Sequence, residues 1–163
     1  MQTQSTNSPP TDGTLVVGID FSECCERALL NAVTLAEHGP GQLQLELVHV
    51  FEWPGAAESP ASAESTPKPE ESQAKVPDVV AQSQASLQRL AQLCSTVVGD
   101  RVSAKIRVLV GDPAARLLAA AERVNASLIV LGELGRSLQP RSELGSTAER
   151  VRTSSNVPVL LVP

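Results

Sequence analysis

The chain has 163 residues and a formal net charge of −5 at pH 7, a size that predicts one domain with a substantial core. Its aromatic residues are Phe21, Phe51 and Trp53, so we expect a core built from Leu, Val, Ile and Ala. The scarcity of aromatic side chains argues against binding single-stranded nucleic acid by base stacking, and the acidic balance argues against a duplex-binding surface.

The sequence also lacks the features of a membrane or secreted protein. Its apolar runs fall short of the ~20 residues needed to cross a bilayer, and the polar N-terminus has no signal-peptide core. Cys24, Cys25 and Cys94 are an odd number of cysteines without metal-ligand spacing. We therefore predict a cytoplasmic protein with no metal site and no membrane or nucleic-acid partner.

Two strands and two helices are predicted in the first half of the chain. The strands are expected at 15–19 and 43–51, where apolar residues dominate. A helix at 23–37 follows the first strand, with Asp20 or Ser22 as its N-cap. A second helix, at 79–97, is expected to bury one face, which carries Leu87, Leu90, Cys94 and Val97.

Two segments are expected to lie outside regular structure. Residues 1–13 are polar and predict a disordered tail. Residues 54–78 are rich in Pro, Ala, Ser and Glu, a composition that buries too little surface to order itself and predicts a flexible loop. The remaining chain, 14–163, is predicted to be a single domain.

The second half alternates strands with helices. Strands are predicted at 102–110, 128–131 and 157–162, and helices from Pro113 onward and at 146–153. Asp112 is the expected N-cap of the helix that begins at Pro113. That helix is expected to bury Leu117, Leu118, Ala121 and Val124. Apolar residues alternate with charged ones at 102–110, which favours an edge strand. The whole order predicts an α/β fold whose parallel sheet is covered by helices on both faces.

A glycine-containing loop follows the fourth predicted strand. Gly132 and Gly135 come directly after the apolar run, and Gly145 and Ser146 open the next predicted helix. Glycine permits positive φ and close approach of the backbone to a ligand. A helix that begins at Ser146 would direct free N–H groups and its positive dipole end at an anion such as a phosphate. The loop lies at the carboxyl end of a strand, where open α/β sheets bind ligands.

Four segments of the chain together resemble the universal stress protein family over about residues 15–162. They are LVVGIDFSECCERAL, ELVHV, VLVGDPAARLLAAAERVNASLIVLG and GELGRSLQPRSELGSTAERV, the last leading into VPVLLV. The family's ATP-binding branch has the motif G-x2-G-x9-G-[ST]. Gly132, Gly135, Gly145 and Ser146 match each fixed position of that motif and both spacings.

The resemblance implies a Rossmann-like, open five-stranded parallel sheet of order 3-2-1-4-5 and a bound ATP, with or without Mg²⁺. Asp20 matches the family's acidic residue that contacts adenosine, and Val50 matches its backbone contact with adenine. The implied nucleotide-binding residues are Gly18, Ile19, Asp20, Phe21, Val50, Leu131, Gly132, Gly135, Arg136, Gly145, Ser146 and Thr147. The resemblance also implies a homodimer formed through the C-terminal strand, residues 158–162.

The sequence departs from the ATP-binding branch between the first two glycines of the motif. Glu133 and Leu134 occupy positions where relatives often have small or basic residues. A carboxylate beside a triphosphate is unfavourable unless it points away or helps to bind a metal, and Arg136 and Arg141 are candidates to compensate its charge. Ala148 stands where some relatives have a hydroxyl, although Thr147 retains one.

These features predict an ATP-binding regulatory module of stress response, without an assigned catalytic residue. Two alternatives stay open: a nucleotide-free dimeric adaptor of the same fold, and a slow ATPase. Packing is favoured over redox sensing for Cys24 and Cys25, although a helix N-terminus promotes thiolates. His49 is interpreted as a core or strand histidine, because no partner that would orient a general base is evident.

Overall fold

A five-stranded parallel sheet organises the computed structural model, which describes residues 12–39, 41–52, 76–135 and 144–163. The spatial order is β3-β2-β1-β4-β5, which confirms the predicted fold class and strand order. The strands are β1 Asp12–Ile19, β2 Gln42–Phe51, β3 Ala104–Val110, β4 Leu128–Gly132 and β5 Val159–Val162.

In the described ranges, four helices cover the two faces of the sheet. They are α1 Glu23–His38, α2 Val76–Leu93, α3 Pro113–Arg123 and α4 Ser146–Ser154. α1 and α2 pack on one face, and α3 and α4 pack on the other, so each face buries its own apolar cluster. Across the described ranges, no helix is both long enough and apolar enough to span a bilayer.

Regular structure begins earlier than predicted at the C-terminal end of each of the two segments that were predicted to be irregular. β1 begins at Asp12, so two residues of the predicted 1–13 tail belong to the sheet. α2 begins at Val76, so the last three residues of the predicted 54–78 loop are helical. The rest of both predictions, residues 1–11 and 54–75, lies outside the described residues.

The predicted buried face of the second helix is wrong at one position. Leu87 is 43% exposed, whereas Leu90 is fully buried. α2 ends at Leu93 and passes into a π-helical turn, Cys94–Val98, which contains an extra residue per turn and therefore shifts the buried face for the residues after Leu93. As a result Val98 becomes fully buried, while Cys94 and Val97 are partly buried against the same cluster.

α3 follows its predicted pattern more closely. Asp112 caps it, with a side-chain oxygen 2.9 Å from the Ala115 N–H, and Pro113 takes the first helical position. Leu117 and Ala121 are buried as expected, together with Ala114 and Ala120. Leu118 and Val124 are only partly buried against the same cluster. These side chains pack α3 over β1 and β2.

The two edges of the sheet are β3 and β5, and the edge position of β3 was predicted from its alternating pattern. On β5, Val159, Leu160 and Leu161 are partly buried and Val162 is buried. An apolar edge strand presents backbone groups that another strand can pair with. The predicted homodimer through residues 158–162 is compatible with this position and stays a prediction.

A buried carboxylate lies within the sheet. The Glu46 side chain on β2 is 3% exposed, and it receives ion-pair contacts from Arg107 on β3 and Arg123 on α3. Both arginine side chains are partly exposed, so their own desolvation is limited. A buried charge is tolerated when it is paired in this way, and the two contacts connect a central strand to its neighbour and to the covering helix.

We predict that Glu46 is stabilised redundantly by its two arginines. Replacing either Arg107 or Arg123 by Met should cost little, whereas the double substitution should lower the free energy of unfolding by about 3 kcal/mol, because the carboxylate is then buried unpaired. Urea unfolding measures the loss. Adding Glu46→Gln to the double variant should recover part of it, and losses from the two single variants that simply add up would contradict the redundancy.

Candidate functional site

A cleft of about 610 Å³ opens at the carboxyl ends of β1, β2 and β4. Ten of the twelve sequence-predicted site residues line it: Gly18, Ile19, Asp20, Val50, Leu131, Gly132, Gly135, Gly145, Ser146 and Thr147. Phe21 is described and is not among the lining residues, and Arg136 lies outside the described residues. The parallel sheet therefore brings together segments that are more than one hundred residues apart in sequence.

Asp20 is oriented by the turn that connects β1 to α1. Its Oδ1 accepts hydrogen bonds from the Ser22 N–H at 3.0 Å and the Ser22 hydroxyl at 2.6 Å. The Ser22 Oγ in turn accepts from the Cys25 N–H at 3.2 Å, so Ser22 is the N-cap of α1. Of the two predicted cap candidates, Ser22 caps the helix directly and Asp20 positions the cap, which leaves Asp20 Oδ2 directed toward Gly135.

Phe21 supports the cleft from behind its wall. Its φ of 63° is uncommon for a residue other than glycine, and it turns the chain away from the end of β1. The ring lies 4.7 Å from the His49 ring between centroids, and the Arg89 guanidinium of α2 lies 4.2 Å from the Phe21 centroid. Phe21 thus packs against a cleft-lining histidine on one side and against α2 on the other.

His49 is buried in β2 and lines the cleft, which agrees with its interpretation as a strand histidine. Its Nδ1 lies 2.7 Å from the Ile19 carbonyl oxygen. A carbonyl can only accept, so Nδ1 carries the proton and donates it. This bond ties the ends of β1 and β2 together at the cleft floor.

The glycines of the motif serve close approach rather than left-handed backbone. Positive φ among the described glycines occurs at Gly41, Gly99 and Gly111, and the motif glycines are not among them. A Cβ on Gly132 would lie 2.9 Å from Cys24 Cβ and 3.0 Å from the Cys25 backbone nitrogen. Gly132 is therefore required by the packing of β4 against the first turn of α1, and of the two properties of glycine considered from the sequence, close approach is the one used here.

Gly135 and Gly145 approach each other and the Asp20 side chain. A Cβ on Gly145 would be 3.3 Å from the Gly135 backbone nitrogen, while one on Gly135 would be 3.2 Å from Asp20 Oδ2. The Asp20 Oδ2 atom is the end of a side chain and can move, whereas the Gly135 nitrogen belongs to the backbone and is held more firmly. Bare backbone therefore faces the cleft at this end, beside a carboxylate that is already oriented.

The first turn of α4 has no side-chain cap, unlike those of α1 and α3. Its N-cap residue, Gly145, donates its N–H to the Glu133 carbonyl at 2.9 Å, and the Glu133 N–H donates to the Val162 carbonyl at 2.8 Å. These bonds fix the start of α4 against β5. Ser146, Thr147 and Ala148 line the cleft, and their N–H groups are the ones that a helix leaves without intrahelical partners.

Glu133 does not line the cleft, although Leu134 beside it does. Its backbone instead joins the loop to β5, so its carboxylate is not among the groups that face the cavity. Among the described residues, the carboxylates that line the cleft are Asp20 and Glu52. The described lining residues include no Lys or Arg, and both candidate compensating residues, Arg136 and Arg141, lie outside the described part of the chain.

The exposed end of β2 supplies polar backbone to the cleft. The Phe51 carbonyl faces β3, where it accepts from the Gly111 N–H at 3.0 Å. Backbone groups of successive residues in a parallel strand face opposite neighbours, so the Val50 carbonyl faces the β1 side. β1 ends at Ile19, which pairs with His49, so Val50 lies beyond the last residue pair of β1 and β2.

Sequence reasoning missed one wall of the cleft and a polar link beneath it. Val48 and Glu52 line the same cavity as Val50, two residues away in either direction, and Pro113 and Leu117 of α3 complete an apolar wall. The period-two spacing along β2 was a usable signal for this wall. The link is a pair of hydrogen bonds from Arg150 to Asp112, and no sequence pattern pointed to it.

The cysteines fit packing better than redox chemistry. Cys25 is buried in the core and also lines the cleft. Burial raises the pKa of its thiol to about 11, so the reactive thiolate is scarce at neutral pH. Burial also raises the pKa of the Cys94 thiol. Within the described ranges, no group of three or more His, Cys, Asp or Glu side chains could bind a metal ion.

The model of the universal stress protein family matches residues 13–163 of this chain. The stress response protein NhaX of Bacillus subtilis is 26% identical over an alignment of 159 positions, which covers 91% of this chain and 96% of NhaX. A universal stress protein solved in complex with cAMP is 25% identical with a TM-score of 0.62, and the match covers 93% of this chain and 97% of that one. The universal stress protein of Archaeoglobus fulgidus in complex with dAMP is 22% identical with a TM-score of 0.60, over 93% and 98% of the two chains.

We predict that two motif glycines differ sharply in tolerance to a methyl group. Gly132→Ala should lower the free energy of unfolding by about 2 kcal/mol, because its Cβ would press on the backbone of α1. Gly135→Ala, whose Cβ would meet only a side-chain oxygen, should cost less than about half as much. Urea unfolding of both variants checks this, and equal losses would show that the α1 contact is not the constraint.

Proposed function

Because the chain belongs to the universal stress protein family, we propose that it binds ATP in the cleft and acts as a nucleotide-dependent regulatory module in stress response. The observation that carries the proposal is the uncapped first turn of α4. It faces the same cavity as the Asp20 carboxylate and the exposed end of β2. Each of these three groups suits a different part of one adenine nucleotide.

The adenine base is proposed to lie against the end of β2. The Val50 carbonyl faces the space beyond β1, where it could accept a hydrogen bond donated by the exocyclic amine of adenine. Val50, Pro113 and Leu117 supply apolar surface for the flat base. Gly18 and Leu131 form part of the floor, where Gly18 leaves no room for a side chain because a Cβ there would overlap the Leu131 side chain.

The ribose and phosphates are proposed to extend from Asp20 toward α4. Oδ2 of Asp20 suits a ribose hydroxyl, since Ser22 orients the carboxylate through Oδ1. The N–H groups at Ser146 and Thr147, with their hydroxyls and the positive end of the helix dipole, suit phosphate oxygens. Gly132 and Gly135 belong to the same wall, and Arg136 is included on the sequence motif alone.

Two solved relatives support the choice of ligand class. One is described as a complex with cAMP and the other as a complex with dAMP, and both ligands are adenine nucleotides. ATP in particular is proposed from the G-x2-G-x9-G-[ST] motif and from the size of the cleft. With Mg²⁺ bound to its phosphates, ATP would carry less charge past the Asp20 and Glu52 carboxylates.

The regulatory part of the proposal concerns the surface of the protein rather than catalysis. Pairing of two β5 edges into a cytoplasmic homodimer would place two α4 helices, and therefore two phosphate ends, close to the shared edge. Nucleotide occupancy could then bias the dimer or its partners. A nucleotide-free adaptor and a slow ATPase are the competing functions, and the binding experiment below separates the first of them from the proposal.

The proposal predicts saturable binding of MgATP that depends on Asp20. Asp20→Asn keeps an oxygen for Ser22 and removes the charge, so it should weaken ATP binding roughly tenfold through loss of a charged hydrogen bond to ribose. Glu122→Gln, the same chemical change on an exposed face of α3, is the matched control and should bind as wild type. Calorimetry measures both, and no binding of wild type at millimolar ATP would favour the adaptor.

Base selectivity follows from the carbonyl at the end of β2. ATP should bind at least roughly tenfold more tightly than GTP, because the guanine O6 would place a second acceptor against the Val50 carbonyl. Competition between the two nucleotides for the same site measures the ratio. Equal affinities would remove Val50 from the proposed recognition while leaving phosphate binding intact.

A further inference from the structure

Asp112 and Arg150 form an ion-pair clamp between α3 and α4. Arg150 Nη1 lies 2.5 Å from Asp112 Oδ2, and Arg150 Nη2 lies 2.9 Å from Oδ1, so the contact is bidentate. Oδ1 also accepts from the Ala115 N–H at 2.9 Å as the cap of α3. The bonds from Arg150 lower the pKa of the Asp112 carboxyl, so the pair stays charged at mildly acidic pH.

The clamp lies about one helical turn along α4 from the proposed phosphate end of the cleft. Ser146 lines the cleft, and Arg150 follows it by four residues, which places both on one side of α4. Asp112 immediately precedes Pro113, which lines the opposite wall. The clamp therefore bridges the two helices whose first turns border the cavity.

α4 has few other side-chain attachments. It is nine residues long, and Ala148 and Val151 are its buried side chains. Among the described residues, the two bonds from Arg150 to Asp112 are the side-chain hydrogen bonds that link α4 to a different element. The other charged pair of the helix, Arg152 with Glu149, lies within α4 itself. The backbone bond from Gly145 to Glu133 holds α4 at its N-cap. A short helix that is otherwise attached by two small apolar side chains can still rotate about that point unless a second directional contact restrains it.

We propose that the Asp112–Arg150 clamp positions the first turn of α4 for phosphate, so that Asp112 and Arg150 determine affinity for the phosphates without contacting them. This inference rests on the proposed function. Both are positioning residues. The clamp fixes the distance between the α3 and α4 walls and keeps the N–H groups of α4 directed into the cleft before a nucleotide arrives.

Positioning and simple charge make opposite predictions for the substitution of Asp112 and the same prediction for that of Arg150. If only charge mattered, Arg150→Gln would expose the Asp112 carboxylate and weaken phosphate binding, whereas Asp112→Asn would free the Arg150 cation and strengthen it. If the clamp positions α4, both substitutions should weaken binding. The two variants together therefore distinguish the mechanisms by the sign of a single effect.

The experiment is calorimetry of wild type, Arg150→Gln and Asp112→Asn with MgATP and with adenosine. Asparagine at 112 retains an oxygen for the Ala115 N–H, so α3 keeps its cap. Both variants should bind ATP roughly fivefold more weakly, a typical lower value for coupling between neighbouring sites, and should bind adenosine as wild type does. Arg152→Gln removes the same charge from α4 and should leave both affinities unchanged.

A second measurement needs no nucleotide. Amide hydrogen exchange in α4 should be faster in Arg150→Gln than in wild type or Arg152→Gln, with exchange in α1 unchanged. Tighter ATP binding by Asp112→Asn, an equal loss for adenosine and ATP, or unchanged ATP affinity in both variants would overturn the clamp. Absence of ATP binding by wild type would instead refute the proposed function, and the clamp with it.

Discussion

The contact between Gly132 and the first turn of α1 is the constraint on which the geometry of the cleft depends. β1 and β4 are parallel neighbours in the sheet, so the segments that follow both strands start from the carboxyl end of the sheet. Because Gly132 has no side chain, the backbone at Cys24 and Cys25 can lie against β4, with no room there for a Cβ. The capped start of α1 then keeps Asp20 beside Gly135, and the loop that follows β4 can pass close to that carboxylate.

The role of each carboxylate in the molecule depends on its burial and on the groups that surround it. Glu46 is buried in the sheet and is paired with two arginines, whereas Asp20 and Glu52 line the open cleft, where the described lining residues include no Lys or Arg. Asp112 serves as a helix cap and as one half of an ion pair. The start of α4, by contrast, has no side-chain cap, and Glu149 is the acidic residue in its first turn. Its N–H groups that lack intrahelical partners are therefore the feature that suits an anion.

Local sequence patterns predicted the fold well, because each helix or strand has a recognisable pattern of apolar and polar residues within its own few residues. Short apolar runs, the Asp112-Pro113 helix start and the alternating β3 all led to correct assignments. The differences arose where packing rather than local pattern decides. Leu87 is exposed although it lies on the predicted apolar face, and the π-helical turn after α2 brings Val98 into the core. Glu46 on β2, for which no role was predicted, acquires ion-pair partners from two later elements, and these partners have no signature near it in the sequence.

The candidate site shows the same division between pattern and packing. The motif located the glycines and Ser146, yet the physical reason for Gly132 is the packing of a helix rather than approach to a ligand or positive φ. Its presence alone is therefore weak evidence that a chain binds nucleotide, since a relative without ligand would still need it to fold. Gly135 and the first turn of α4 at Ser146 are different. Among the described residues, no backbone contact requires position 135 to lack a side chain, and none requires the turn at Ser146 to lack a side-chain cap. Those positions, rather than Gly132, are where nucleotide-binding and nucleotide-free members of such a fold should diverge.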